Sequence, residues 1–243
     1  MAESAQKMLP VAILAGGLAT RLRPATEKAP KSLLEVNGEP FIAHQLRLLK
    51  TNGISRVVLC VGFLGEMVRD AVKDGRAFGL QVKYSFDGAS LLGTAGALKR
   101  ALPLLGRAFL TLYGDSYLLC DYGAVAQKFE ESGKQALMTV FRNEGNWDSS
   151  NVEFTDGRIV AYDKKQRTPR MKYIDYGLGA FTARAFDRVP ADQAFDLAEL
   201  YQAILADGEL AGMEIQQRFY EIGSPTGLEE TARFIASRGA MKV

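Results

Sequence analysis

The sequence predicts an α/β fold, a mostly parallel mixed sheet flanked by helices, with an antiparallel elaboration in its second half. Short apolar runs alternate with helix-period segments through the first half, the pattern of strands joined by helical crossovers. From Leu137 onward, strand-like runs follow one another with few helices between them. No linker, repeat or low-complexity tract divides the 243 residues, so 1–243 reads as a single domain. A chain of that length can bury well over half of the surface its unfolded form exposes.

The elements follow in order. Val11 to Ala15 is apolar throughout, as a strand covered on both faces must be. Pro40 to Lys50 carries Phe41, Ile42, Leu46 and Leu49 at helical spacing, and Gly65 to Lys73 and Thr94 to Leu105 read similarly. Between and after these lie strands at Val57 to Val61, Val82 to Phe86 and Phe109 to Tyr113. In the second half, strands are expected at Leu137 to Phe141, Asn151 to Phe154, Ile159 to Tyr162 and Tyr173 to Phe181. Thr155-Asp156-Gly157 is a hairpin turn, because Asp and Gly tolerate the positive φ that tight hairpins need. Phe195 to Leu205 is an amphipathic helix with Asp196 as N-cap. A strand through Met213 to Ile222, a Gly-Ser-Pro turn and a helix from Pro225 to Arg238 complete the chain.

Thirty basic residues against 28 acidic ones leave a net charge of +2, with no block of basic residues, so nucleic acid is not an expected partner. The longest apolar run, Val57 to Gly65, is of strand length, and no membrane span is expected. The polar segment Met1 to Lys7 leads straight into a strand without a secretory h-region, which reads as cytoplasmic. Cys60 and Cys120 stand far apart in apolar settings and read as reduced thiols.

Chemistry concentrates where the first strand ends. Leu14-Ala15-Gly16-Gly17-Leu18-Ala19-Thr20-Arg21-Leu22-Arg23-Pro24-Ala25-Thr26 runs on to Ala29-Pro30-Lys31-Ser32-Leu33. Paired glycines let the backbone turn and bring N–H groups close to phosphate oxygens, while Arg and Lys supply the charge a triphosphate needs. No Gly-Lys-Ser/Thr follows at P-loop spacing, and the third glycine of a dinucleotide fingerprint is missing.

These residues resemble the sugar-1-phosphate nucleotidyltransferases, whose signature is Gly-Gly-x-Gly-Thr-Arg, Pro-x-Thr and Pro-Lys. Gly16, Gly17, Thr20, Arg21, Pro24, Thr26, Pro30 and Lys31 match it in register, and Ala19 stands where the third glycine is usual. The resemblance implies a Rossmann-like domain and makes Leu14, Ala15, Gly16, Gly17, Thr20 and Arg21 the nucleotide loop. It continues at Leu92-Gly93-Thr94-Ala95-Gly96, implying that Gly93 and Thr94 lie beside the base. At Leu112-Tyr113-Gly114-Asp115 it implies that Asp115 holds a magnesium ion. Tyr162-Asp163-Lys164 resembles the acidic-Lys pair that meets the sugar phosphate, with Lys165 as competitor, and Asp175 and Gly177 stand where the sugar-lining strand is expected. Glu221, in Glu221-Ile222-Gly223-Ser224-Pro225, replaces the usual second metal aspartate. The resemblance spans about Val11 to Arg233.

The reaction so implied joins a sugar 1-phosphate to the α-phosphorus of a nucleoside triphosphate and releases pyrophosphate. Repulsion between anions is the obstacle, so positioning and charge neutralisation are required more than a base. Arg21, Lys31 and Asp115 are the expected catalytic residues, Asp115 and Glu221 the expected Mg2+ ligands, and Lys164 the acceptor contact. Asp87 lies just ahead of the base-side turn, in a loop from Ser85 to Leu92 that resembles heptose- and mannose-1-phosphate guanylyltransferases, which favours GTP. The rivals are a uridylyltransferase acting on an amino-sugar 1-phosphate such as N-acetylmuramate 1-phosphate, and a nucleotide-sugar-binding protein without turnover. A homodimer is expected from base rates. His44, Trp147, Arg100, Arg107 and Arg142 read as packing or surface residues.

Overall fold

Strand and crossover alternate first as β1 (Val11–Leu14), a small hairpin of β2 (Glu35–Val36) and β3 (Glu39–Pro40), α1 (Phe41–Thr51), β4 (Arg56–Val61), α2 (Gly65–Val72), β5 (Gln81–Phe86), α3 (Gly93–Leu105) and β6 (Ala108–Tyr113). Then come β7 (Ser116–Tyr117), α4 (Tyr122–Ser132), β8 (Ala136–Arg142), β9 (Val152–Thr155), β10 (Arg158–Tyr162) and β11 (Tyr173–Thr182). The chain closes with α5 (Leu197–Ala206), β12 (Leu210–Ile215), β13 (Tyr220–Glu221) and α6 (Pro225–Ala240). The structure, a computed structural model, describes residues 8–19, 22, 24 and 26–240.

Side chains on a strand alternate between faces, and here both faces are apolar. Val11 and Ile13 of β1, with Val57, Leu59 and Val61 of β4, enter one cluster, which α1, α2 and α4 cover. Ala12, Val58 and Cys60 enter the other, under α3 and α5. The result is a sheet between two helical layers. Its order is β10-β9-β11-β6-β1-β4-β5, with β8 pairing β11 and β12 pairing β8. β6, β1, β4 and β5 are parallel, whereas β11 runs antiparallel to both β6 and β8. From β1 the chain moves outward to β4 and β5, then returns through α3 to β6 on the opposite side of β1. Such a reversal of direction opens a crevice at the strand C-termini.

The expected hairpin turn is present, with Asp156 at φ +51° and Gly157 at +75° between β9 and β10. Asp196 caps α5, accepting from Ala198 N at 2.7 Å. Two elements differ from expectation. The strand expected through Met213 to Ile222 is two strands: β12 pairs β8, and β13 leaves that sheet to pair β7. Polar Gln216, Gln217 and Arg218 carry the chain between them. α4 was not among the expected elements, although Tyr122, Val125 and Phe129 share its buried face and Asp121 caps it through Ala124 N at 3.0 Å. No described helix is long and apolar enough to cross a membrane.

Candidate active site

The C-terminal ends of β1, β4, β5 and β6 surround a cavity of about 240 Å³. Ala15, Gly16, Gly17 and Ala19 form one wall, Asp87 and Leu91 another, Gly93 and Thr94 a third, and Lys31, Gly114 and Asp115 the mouth. Close backbone approach explains two of the glycines. A Cβ at Gly16 would stand 3.0 Å from Gly62 N, and one at Gly114 would stand 2.8 Å from Leu14 O. Thr20 and Arg21 lie outside the described residues. Among the described residues, the Ala19 carbonyl accepts from Leu22 N at 3.1 Å and from the buried Thr26 hydroxyl at 2.8 Å. Ala19 itself has φ +49°, the left-handed conformation that costs an L-residue about 1 to 2 kcal/mol.

Where β5 meets the cavity, Asp87 is 6% exposed and takes Leu92 N–H at Oδ2, 3.2 Å away. Burial raises its pKa above the ordinary carboxylate value, an effect that the Leu92 bond and Arg100 oppose. Gly93, at φ +68°, opens α3 where a Cβ would collide with Phe195 O at 2.7 Å. Thr94 Oγ1 accepts from Leu197 N at 2.7 Å, so this turn is fastened to the start of α5.

At the mouth, Lys31 Nζ lies 2.8 Å from Asp115 Oδ2. Glu221 is brought beside this pair by the β7–β13 ladder, in which it faces Ser116, and by Ile222 N donating to Asp115 O at 2.9 Å. Its carboxylate accepts from Gly223 N and, at 3.2 Å, from Ser224 Oγ. Burial raises the Glu221 pKa, the Asp115 charge adds to the rise, and the Gly223 bond and Lys31 oppose it. Asp115 is therefore paired with Lys31 and Glu221 stands beside that pair, so two carboxylates face one ammonium group at a locus that calls for positive charge. Among the described residues, no group of three or more His, Cys, Asp and Glu side chains is assembled for a metal. Two carboxylates with substrate phosphates completing the shell is the usual arrangement for magnesium, and this oxygen donor set fits it.

The acceptor-side candidates are also brought together. Lys164 Nζ stands 5.6 Å from the centroid of the Tyr113 ring, which lines the cavity. Asp175 accepts from Gly177 N at 3.0 Å and Tyr162 OH at 3.4 Å. Its pKa is raised by burial, and Lys164 is the main opposing influence. β11 is irregular between Asp175 and Gly179, and Gly177 at φ +99° turns the strand there. Lys165 instead follows the Asp163 turn, donating its N–H to Asp163 Oδ1 at 2.7 Å. The sequence expectations omitted Tyr113, Gly62 and Ser32. Ser32 is 3% exposed, lines the cavity, and its hydroxyl has no partner among the described residues. A hydroxyl next to Lys31 in the loop expected to cradle phosphate was the available signal.

Trp147 is 47% exposed and carries Arg218 on its ring, while His44 Nε2 contacts Val36 O at 2.9 Å. Cys60 and Cys120 are free thiols, both with pKa raised by burial to about 12.

Comparison with known proteins shows the family and the fold. The chain is 30% identical over 222 residues to the N-acetylmuramate alpha-1-phosphate uridylyltransferase of Neisseria meningitidis, covering 90% of this chain and 94% of that one. It is 28% identical to mannose-1-phosphate guanyltransferase beta-A of Xenopus laevis, over 88% of this chain and 61% of the frog protein. The fold matches a putative glucose-1-phosphate thymidylyltransferase from Bacillus anthracis with TM-score 0.82, 21% identity and coverage of 93% and 94%. It also matches HddC of Yersinia pseudotuberculosis, solved with GMP-PN, with TM-score 0.75, 22% identity and coverage of 94% and 100%. With residues 11–238 matching the Nucleotidyl transferase family, the chain belongs to that family, among relatives that are sugar-1-phosphate nucleotidyltransferases.

Proposed function

We propose that the protein transfers a nucleoside monophosphate from GTP to a sugar 1-phosphate of the heptose or mannose type. The observation that carries this reading is the Lys31–Asp115 pair, with Glu221 beside it, at the mouth of a glycine-walled cavity. An acceptor phosphate oxygen forms the new bond to the α-phosphorus while the bond to pyrophosphate breaks. The attacking oxygen is already ionised at neutral pH, so no general base is needed.

Each group then has a task. Gly16 and Gly17 let the triphosphate approach backbone N–H groups, and Lys31 neutralises charge at the α-phosphate. Arg21 is assigned to the β- and γ-phosphates on its place in the motif. A divalent cation, when bound, offsets repulsion between the phosphates, and Asp115 and Glu221 are the residues that would hold it. Lys164 meets the acceptor phosphate, and Asp175 and Gly177 line the sugar.

The preference for guanine rests on Asp87. A carboxylate can accept from guanine N1–H and N2–H₂ together, whereas uracil offers a single imino donor. The guanylyltransferase among the relatives and the HddC complex with GMP-PN support the same base. One observation favours a second reading, uridylyl transfer to N-acetylmuramate 1-phosphate: the Neisseria relative is matched over 94% of its length.

The test is pyrophosphate release with magnesium, crossing GTP, UTP, CTP, dTTP and ATP with heptose, mannose, glucose, N-acetylglucosamine and N-acetylmuramate 1-phosphates. GTP with heptose or mannose 1-phosphate is the expected productive pair. UTP with N-acetylmuramate 1-phosphate establishes the second reading, and nucleotide binding without turnover points to a binding protein. If Asp87 reads guanine, Asp87→Ala lowers the GTP-over-UTP preference by about tenfold to a hundredfold.

A further inference from the structure

The chain contains one tryptophan, Trp147, and it lies outside the core, 47% exposed. Its loop, 143–150, is nevertheless ordered by a buried side chain. Asn143 donates from Nδ2 to Asp148 O at 2.6 Å and Ser150 Oγ at 3.1 Å, and its Oδ1 accepts from Trp147 N at 3.2 Å. The indole is covered by Arg218, whose Cζ lies 3.4 Å from the ring centroid. The same guanidinium lies 4.8 Å from the Tyr220 centroid and pairs with Glu230 of α6. Tyr220 belongs to β13, where the next residue is Glu221.

The far end of the loop reaches the acceptor side. Asn151, 9% exposed, accepts from Asp175 N at its Oδ1 and from Asp163 N at its backbone carbonyl, both at 3.0 Å. Asp163 immediately precedes Lys164. An unbroken set of contacts therefore joins the strand carrying Glu221 to the two segments carrying Asp175 and Lys164.

We propose that Trp147 and Arg218 are positioning residues for the acceptor. Their stack fastens loop 143–150 to β13, and through Asn151 it holds Asp175 and Lys164 at a fixed spacing from Asp115 and Glu221. The proposal rests on the acceptor-site assignment made above. A planar guanidinium is what the indole face accommodates, so lysine is not an equivalent here.

The test compares Arg218→Ala, Arg218→Lys, Trp147→Ala and Trp147→Phe in the full-length protein. Amide hydrogen exchange needs no substrate and is read first. The Asp163 and Asp175 amides are expected to exchange about twofold to thirtyfold faster in Arg218→Ala and Trp147→Ala, the range that loss of a cation–π contact converts to. The amides of β1 stay unchanged, Trp147→Phe recovers most of the protection, and Arg218→Lys does not. The emission of Trp147 shifts to the red in Arg218→Ala, because the indole loses its cover. In the pyrophosphate assay the acceptor KM rises by a similar factor while the nucleotide KM holds. The double alanine variant is no worse than either single one, as a shared contact requires. Unchanged exchange at both amides overturns the proposal, and so does an equal rise in both KM values. If exchange responds as expected but the wild-type protein turns over no sugar 1-phosphate, the acceptor assignment fails and the coupling stands.

Discussion

On the side proposed for the nucleotide the cavity wall is largely backbone: Gly16, Gly62 and Gly114 stand where a Cβ would meet main-chain atoms at 2.8 to 3.0 Å. On the side proposed for the acceptor the candidate groups are placed by side chains from distant parts of the chain, with Tyr162 on Asp175, Asn151 under both segments, and Lys164 over Tyr113. A backbone wall needs only glycine and a strand end, both local properties. A side-chain wall needs β9, β10 and β11 to be in register before any of its contacts exist. The nucleotide half is therefore expected to be pre-formed, and the acceptor half to depend on the fold around it.

The largest expected effect concerns the groups at the mouth, which both halves share. Asp115→Asn removes one of the two carboxylate charges at the mouth and the partner of Lys31, and turnover should fall about a hundredfold or more with the fold intact. Pyrophosphate release alongside circular dichroism checks this, and full activity would remove Asp115 from the site.

Gly62→Ala probes the backbone wall alone. Its Cβ would lie 2.7 Å from Leu91 Cδ2 and 2.8 Å from Gly16 O, so the variant should lose about 1 to 3 kcal/mol of stability. It should also raise the nucleotide KM without moving the acceptor KM. Urea titration and steady-state kinetics separate the two, and a rise in the acceptor KM alone would break the contrast between the halves.

Asp175 probes the side-chain wall through pH. Burial raises its folded pKa, so it stabilises the fold below the unfolded-state pKa, and that contribution is lost as pH rises through the folded value. Asp175→Asn should therefore melt higher than wild type at neutral pH, with the difference shrinking as pH falls into the acid range, while the acceptor KM rises. Melting curves across pH measure it, and a variant less stable at neutral pH would contradict the sign.

The smallest effect belongs to Ala19. Glycine at φ +49° relieves a strained residue, so Ala19→Gly should gain up to about 1 kcal/mol, with kcat nearly unchanged. Urea midpoints are sensitive enough to decide it.

Much of the glycine-walled side of the cavity was legible because its signals are local. An apolar strand, two glycines and a basic loop lie within about twenty residues, and Gly114-Asp115 repeats the strand-end logic. The Asp156-Gly157 turn and the Asp196 cap were legible for the same reason, since turn and cap chemistry act over a few bonds. α4 also carries a local signal, with Asp121 as its cap and Tyr122, Val125 and Phe129 at helical spacing on its buried face. The division of Met213 to Ile222 into two strands was not legible. β12 ends on β8 and β13 on β7, partners that lie many residues away.

By itself the sequence determined the alternation of strands and helices, the glycine turn after β1 and the order of the charged candidates, because periodicity and backbone freedom are written residue by residue. Tertiary structure alone decided that Lys31 meets Asp115 across 84 positions, that Lys164 rather than Lys165 faces Tyr113, and that Arg218 covers Trp147. Those pairings depend on which strand lies beside which and how far β11 is displaced at Gly177. Such distances arise only when the two apolar clusters close on the sheet.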